Sequence, residues 1–381
     1  RIFKGFSHER PFFYLRSMKI KDLENVLEKW APLSLQEDYD NSGLLVGDRN
    51  KDISSVLVSL DVTEDVIMEA IEKKANVIVS HHPIIFKTLR SLTGRNEVER
   101  CVELAIKNEV ALYAIHTNLD KISGGVSFAL GNALGLLNMK ILSQDVSKMY
   151  HLVTHVPKDF SETVSESLFN AGAGKLGNYD QSKFVVSGKG SFRPLESSRP
   201  FKGEIGKLEE QDEDRIEVLV APEFKYEVER ALFESHAYEE ISYAWIELSN
   251  FDPNKGFGAI GDLPVEHSEE EFIKKIKKIL NLKSFRHTKS RNGRINKVAV
   301  CGGAGVNLLS DAIASNCDAF LTSDISYHTF FDAKKRVFLA DIGHWESEQH
   351  TIDLIADYIR SKMINFAVTK TESNTNPIII S

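Results

Sequence analysis

Three short β-rich runs, residues 55–61 (SVLVSLD), 76–80 (NVIVS) and 110–116 (VALYAIH), alternate with helix-forming segments, and polar residues follow each run. Such alternation demands parallel strands joined by crossover helices, since strands running the same way cannot be closed by a tight turn. Ile20, Leu23, Leu27 and Trp30 recur at helical spacing, and Pro32 ends that helix. Thr63 followed by Glu64 and Asp65 is a helix start, a capping hydroxyl with acids at the positive end of the dipole. The rhythm returns late in the chain, where 297–301 (KVAVC) runs into Gly302-Gly-Ala-Gly305, 318–322 (DAFLT) into Ser323-Asp324, and 336–341 (RVFLAD) into GHWESE. The expected fold class is α/β, with two βαβ-type halves whose polar strand ends form a shared metal cleft.

The stretch between them is differently composed. A strand at 151–156, a helix at 159–171, strands at 183–187 and 215–220, a helix at 223–235 and a strand at 242–248 give β-α-β twice, the split pattern of a ferredoxin-like module. The expected domains are an N-terminal extension at 1–17, one α/β half at 18–140, an inserted ferredoxin-like α+β module at 141–250 and a second α/β half at 251–381. The acidic run 209–214 reads as a solvated loop.

The polar residues at the strand ends are metal-type. His81 and His82 follow the second run, His116 and Asp120 the third, and His344 and Glu348 the last. Imidazoles and carboxylates in these proportions point to a metal centre. Alternation along an extended strand turns His81 and His82 to opposite sides, where they would serve different ions. Four-residue spacing puts His344 and Glu348 on one helix face. His116 reads as a group orienting a ligand, and His328 as lining the same cleft or starting a helix. Gly302–Gly305 lacks both GxGxxG and GKS/T spacing, so it reads as a tight turn before an anion cradle.

Composition excludes several classes. A net charge of −8 leaves no electrostatic footprint for duplex nucleic acid. Cys101, Cys301 and Cys317 are odd in number and form no CxxC pair, which argues for a reducing, cytoplasmic setting and against thiolate zinc. No apolar run approaches the ~20 residues of a membrane span. Residues 1–17 lack the apolar core and cleavage site of a secretory signal and read as an upstream-extended start or an organellar presequence.

The motifs DNSGLLVGD, SLDVTEDV, SHHPIIF, HTNLD, GAGKLGNYDQSKF, HAYEE, GFGAIGDLP, CGGAG and DIGHWESE occur in this order between Asp40 and Glu348. In them the chain resembles the NIF-three-like (Ngg-one-interacting-factor-three-like) dinuclear metal proteins, also known as GTP cyclohydrolase type-two homologues. The resemblance covers Met18 to Pro377, with Ala237 in place of the usual proline and Ser323 in place of the glycine of a TGD turn. It implies His81, His82, Asp120, His344 and Glu348 around two divalent ions (zinc, iron or manganese), a homohexameric ring, and a PII-like character for the insert. The expected function is a metal-dependent hydrolase, cyclohydrolase-like, acting through metal-activated water on a nucleotide or phosphoester-type small molecule. The alternative is a non-enzymatic metal carrier, insertion factor or regulatory binding protein.

Overall fold

The computed structural model describes residues 18–145, 148–177, 179–364 and 366–380. The extension expected at 1–17 lies outside the described residues. The chain is mixed α/β and divides into two compact units, one running through Leu119 and resuming at Glu348, the other Asp120–Ser347.

The first unit is built on a five-stranded sheet in the order Gly43–Val46, Ala111–Ala114, Val77–Ser80, Val56–Ser59, Val368–Lys370. All neighbours are parallel except the edge strand Gly43–Val46. The three central strands are buried along their whole length, which is why they read as continuous apolar runs without alternation. Leu57, Ile78 and Leu112 face the helices Glu64–Glu72 and Glu97–Lys107, packing on Val66, Ile67, Cys101 and Ala105. Each such buried aliphatic side chain contributes about 1.5–3 kcal/mol. The helices Ile20–Trp30 and Thr351–Lys362 meet through Trp30 stacked on Tyr358, ring centroids 4.0 Å apart. Thr63 caps the helix at Glu64, its hydroxyl accepting from Val66 N at 3.3 Å. The strand Val368–Lys370, placed by the sequence with the second half, pairs instead with Val56–Val58.

The second unit holds two sheets. One has six strands in the order Arg286–His287, Phe338–Asp341, Ala319–Thr322, Arg294–Val300, Gly256–Ser268, Leu137–Gln144, with the three βα-type strands parallel and the rest antiparallel. Val298, Val300 and Phe338 enter the core on one face, and Ala299, Cys301, Phe320 and Leu339 the core on the other. Leu137–Gln144 runs across the expected boundary at 140/141, and its far end pairs with Gly256, the start of the next strand of the sheet.

The other sheet is antiparallel, in the order Lys183–Phe192, Glu209–Val220, Lys148–Pro157, Tyr243–Phe251. The helices Ser161–Asn170 and Lys225–Ser235 supply Val164, Leu168, Val228 and Leu232 to its core. The acidic run 209–214 is not a loop: it is the first half of the strand Glu209–Val220, paired residue for residue with 187–192. Its charges are tolerated there because only Asp214 is buried, and that carboxylate accepts from Ser187 Oγ at 2.6 Å. Among the described residues no helix is long and apolar enough to cross a membrane.

Candidate metal centre

Register places the carboxyl ends of the three central strands of the first unit level with one another, Ser59 opposite Ser80 and Ser80 opposite Ala114. The residues that follow therefore gather at one sheet edge, the place where open parallel sheets bind ligands. The strand stops at Ser80, and Pro83 cannot donate to a ladder, so His81 and His82 lie beyond the regular pleat. Their backbone N–H groups reach Ser59 O and Leu60 O. For that reason the two rings do not diverge as strand alternation predicts, but lie 4.9 Å apart. His116 stands 5.2 Å from His81 and 5.4 Å from His82, and the three offer ring nitrogens within 4.8 Å of one another.

Each ring is held by the same atom. His81 Nδ1 meets Ile115 O at 2.8 Å, His82 Nδ1 meets Asp61 Oδ1 at 2.7 Å, and His116 Nδ1 meets Asp40 Oδ1 at 2.7 Å. A carbonyl oxygen only accepts, so His81 carries its proton on Nδ1, and Nε2 is its lone-pair nitrogen. Complete burial holds the His81 pKa below the ordinary value, which keeps that ring neutral. Glu348 Oε2 lies 3.1 Å from His82 Nε2, and its Oε1 lies 3.8 Å from His81 Nε2.

Burial opposes charge on His82, but hydrogen bonds to Asp61 and Glu348 outweigh it and lift its pKa to about 10. Burial likewise pushes the acids up, yet His82 and Thr375 bring Asp61 below its ordinary value, and His116 and Thr117 bring Asp40 well below its own. The cluster is thus a set of carboxylates kept ionised around imidazoles whose outer nitrogens are already committed. That is the donor chemistry of a divalent-cation site, with carbonyl and carboxylate partners fixing ring orientation. The residues fit a metal ion.

The remaining candidates lie in the second unit. Asp120 is half-buried at the end of the short helix Thr117–Asp120. His344 opens the helix His344–Glu348, and its Nδ1 meets Asp324 Oδ2 at 2.5 Å, the same mode of support as in the first unit. Asp324 adopts φ 56°, which completes the turn after Thr322 although Ser323 replaces the expected glycine. His328 is exposed beside Tyr327, 5.4 Å between rings, and among the described residues belongs to no group of three metal-type side chains. In Gly302–Gly305, Gly303 N donates to Ser347 Oγ at 2.9 Å and Gly305 N to Thr322 Oγ1 at 2.8 Å, so these N–H groups serve the turn itself.

Sequence reasoning paired none of these histidines with its orienting acid. Asp40, within DNSGLLVGD, is 76 positions from His116 and carries no local pattern that ties the two. His116, expected to orient a ligand, is itself oriented by Asp40, and its ring stands with those of His81 and His82 in a group that could hold an ion.

The Duf34/NIF3 (NGG1p interacting factor 3) profile matches residues 18–377. A Halalkalibacterium halodurans protein named GTP cyclohydrolase 1 type 2 homolog is 40% identical over 332 residues, 86% of this chain and 89% of its own. A Bacillus subtilis protein of the same name is 33% identical over 367 residues, 95% of this chain and 98% of its own. The crystal structure of a Bacillus cereus protein related to NIF3 superposes with a TM-score of 0.82 at 33% identity, covering 96% of this chain and all of that one. With the profile spanning nearly the whole chain and relatives of 33–40% identity matching over most of both chains, the chain belongs to the Duf34/NIF3 family.

Proposed function

We propose that the protein is a metal-dependent hydrolase in which His81, His82, Asp120, His344 and Glu348 hold two divalent ions, with a nucleotide or phosphoester as substrate. The observation that carries this reading is the shared orientation of the imidazoles, each with Nδ1 tied to a carbonyl or carboxylate. Divalent ions held there supply Lewis acidity to a substrate oxygen and ease loss of a proton from water. The protein's own residues do the rest. Asp61, Asp40 and Asp324 fix ring orientation, Ile115 O fixes the His81 tautomer, and Asp61 with Glu348 supplies the negative charge that favours a dication over a proton at His82. The relatives' name, GTP cyclohydrolase 1 type 2 homolog, supports a purine nucleotide as one member of the substrate class. We propose also that the chain assembles as a homohexamer, which light scattering on the eluting protein tests.

Elemental analysis of anaerobically purified protein, followed by a turnover screen over nucleotides and phosphoesters, tests the hydrolase reading. Close to two ions per chain, with turnover lost in Asp120→Asn and Glu348→Gln, is the expected result. No metal after gentle purification and none on titration would overturn it. Two tightly held ions with no turnover across the screen would transfer the protein to the carrier or regulatory class.

A further inference from the structure

A cavity of about 920 Å³ lies in the four-stranded module of the second unit, within the size range of small-molecule sites. Its walls include the end of the strand Lys183–Phe192, the segment that follows it, and residues 238–242. The segment is fastened across the cavity, Arg199 N donating to Glu239 Oε1 at 2.7 Å.

Three aromatic rings line the space. Tyr238 stands between Phe192, at 6.0 Å and 61°, and Phe201, at 6.2 Å and 55°. The rings meet edge to face or tilted instead of stacked. Beside them is Glu213, whose Oε1 accepts from the Tyr238 hydroxyl at 2.7 Å. Gly190 makes room for that carboxylate, since a Cβ there would come within 2.2 Å of Glu213 Oε2.

The lining holds three Lys or Arg side chains, Lys189, Arg193 and Arg215, and three carboxylates, Glu213, Glu239 and Glu240, which differ in how they are partnered. Lys189 and Arg215 are paired with Glu210 at 3.6 Å and Glu217 at 2.8 Å, and neither glutamate faces the cavity. Glu213, Glu239 and Glu240 do face it, and among the described residues none of the three has a Lys, Arg or His nitrogen within 4.0 Å. Among the described residues, Arg193 is the lining Lys or Arg that has no ion-pair partner of its own. The cavity therefore combines aromatic rings with three carboxylates that no cation pairs among the described residues.

We propose that this cavity is a binding site for a small organic cation of the aliphatic diamine or polyamine class. Ring faces attract ammonium groups through the aromatic quadrupole, and a carboxylate at the end of the box supplies the counter-charge. A hard metal ion is a poorer match, because it needs several oxygens converging at 2.3–2.6 Å, and no metal-type cluster forms here among the described residues. An anion is disfavoured by the same carboxylates. The site shares no residue with the histidine cluster and does not depend on the hydrolase reading.

Isothermal titration of the full-length chain with putrescine and spermidine at low salt, with butylamine and ATP as comparison ligands, tests the proposal. The diamines are expected to bind more tightly than butylamine and to weaken at 0.5 M NaCl. E213Q should weaken them about tenfold, as loss of one charge-assisted contact does. Tyr238→Phe should bind within a few-fold of the parent because the ring remains, whereas Tyr238→Leu should lose binding. Should E213Q lower the melting temperature, E240Q at an exposed position gives the same readout. N-acetyl-lysine amide binding as tightly as putrescine would identify a protein side chain as the source of the cation, and its failure to compete a free amine. Diamine binding unchanged in E213Q and Tyr238→Leu, ATP binding in preference to the amines, or no amine binding at millimolar concentration would each overturn the proposal.

Discussion

Asp61 and His82 form a pair in which the imidazole Nδ1 donates to Asp61 Oδ1 at 2.7 Å, while Thr375 Oγ1 donates to the second carboxylate oxygen at the same distance. The C-terminal segment thus positions the acid, the acid positions the ring, and the ring turns its Nε2 toward Glu348. Asp61→Asn keeps the shape and removes the charge. It is expected to weaken metal binding by about 10–100-fold, the usual effect of losing an outer carboxylate partner. Competition against a chelator of known affinity measures this, and an unchanged affinity would remove Asp61 from the site.

Removal of a ring should act more severely than removal of its support. His82→Ala is expected to cost at least one ion per chain by elemental analysis, with the sheet intact because His82 follows the strand instead of forming part of it. His116→Ala should leave metal content nearer the parent if that ring only supports the others, and should lower it if His116 is itself a ligand. Parallel measurement of the two variants decides the role of His116.

The sequence made much of this legible, for reasons tied to particular residues. Val77–Ser80 is buried on both faces, so its apolar run stands out, and the histidines directly after it mark the sheet edge. Asp61 and Asp324 were visible as strand-end polar groups, but their rings lie 21 and 20 positions away, and nothing local announces either pairing. Val368–Lys370 is three residues long, too short to show a period, and its partner is more than 300 positions upstream. The charges of 209–214 hid a strand because hairpin pairing with 187–192, and not burial, holds it.

Glu69 predicts an acid-sensitive C-terminal segment. Its carboxylate accepts from Lys73 Nζ at 2.7 Å, Thr371 Oγ1 at 2.5 Å, Glu372 N at 2.8 Å and Ser373 Oγ at 2.8 Å. Burial pushes its pKa up, but these donors outweigh it and bring the value from 4.5 to about 2. A carboxyl whose folded pKa is depressed stabilises the fold above its unfolded value and loses that contribution as pH falls through the folded one. The melting-temperature difference between the parent and Glu69→Gln is therefore expected to be full above pH 5 and to vanish toward pH 2. A difference independent of pH would show that the hydrogen bonds, not the charge, hold residues 371–373.

Gly256 should be the most sensitive glycine at the base of the four-stranded module. It sits at φ +143°, and a Cβ there would lie 2.0 Å from Ser143 O and 2.8 Å from Asp145 N, both backbone atoms that cannot swing aside. Gly256→Ala is expected to cost about 2–4 kcal/mol, combining backbone strain with the clash. Gly188→Ala, with an ordinary φ and nothing within 4 Å, should stay within about 0.5 kcal/mol of the parent. Urea midpoints of the two variants make the comparison.

The four-stranded module should be removable. The chain leaves the six-stranded sheet at Gln144 and re-enters at Gly256, which are directly paired, and Asp145 N donates to Lys255 O at 2.9 Å. Both cut ends therefore already lie together, and closing them with a short Gly-Ser linker costs little loop entropy. One tie that would be lost is the ion pair of Lys255 with Glu223, after which Lys255 keeps Asp252 at 3.5 Å. Deleting 146–251 is expected to leave a chain that unfolds cooperatively, carries the parent's metal content and no longer binds diamines. Loss of both cooperative unfolding and metal would show that the module is part of the core, because its own hydrophobic cluster around Leu152, Ile216 and Leu232 would then be needed to support the rest.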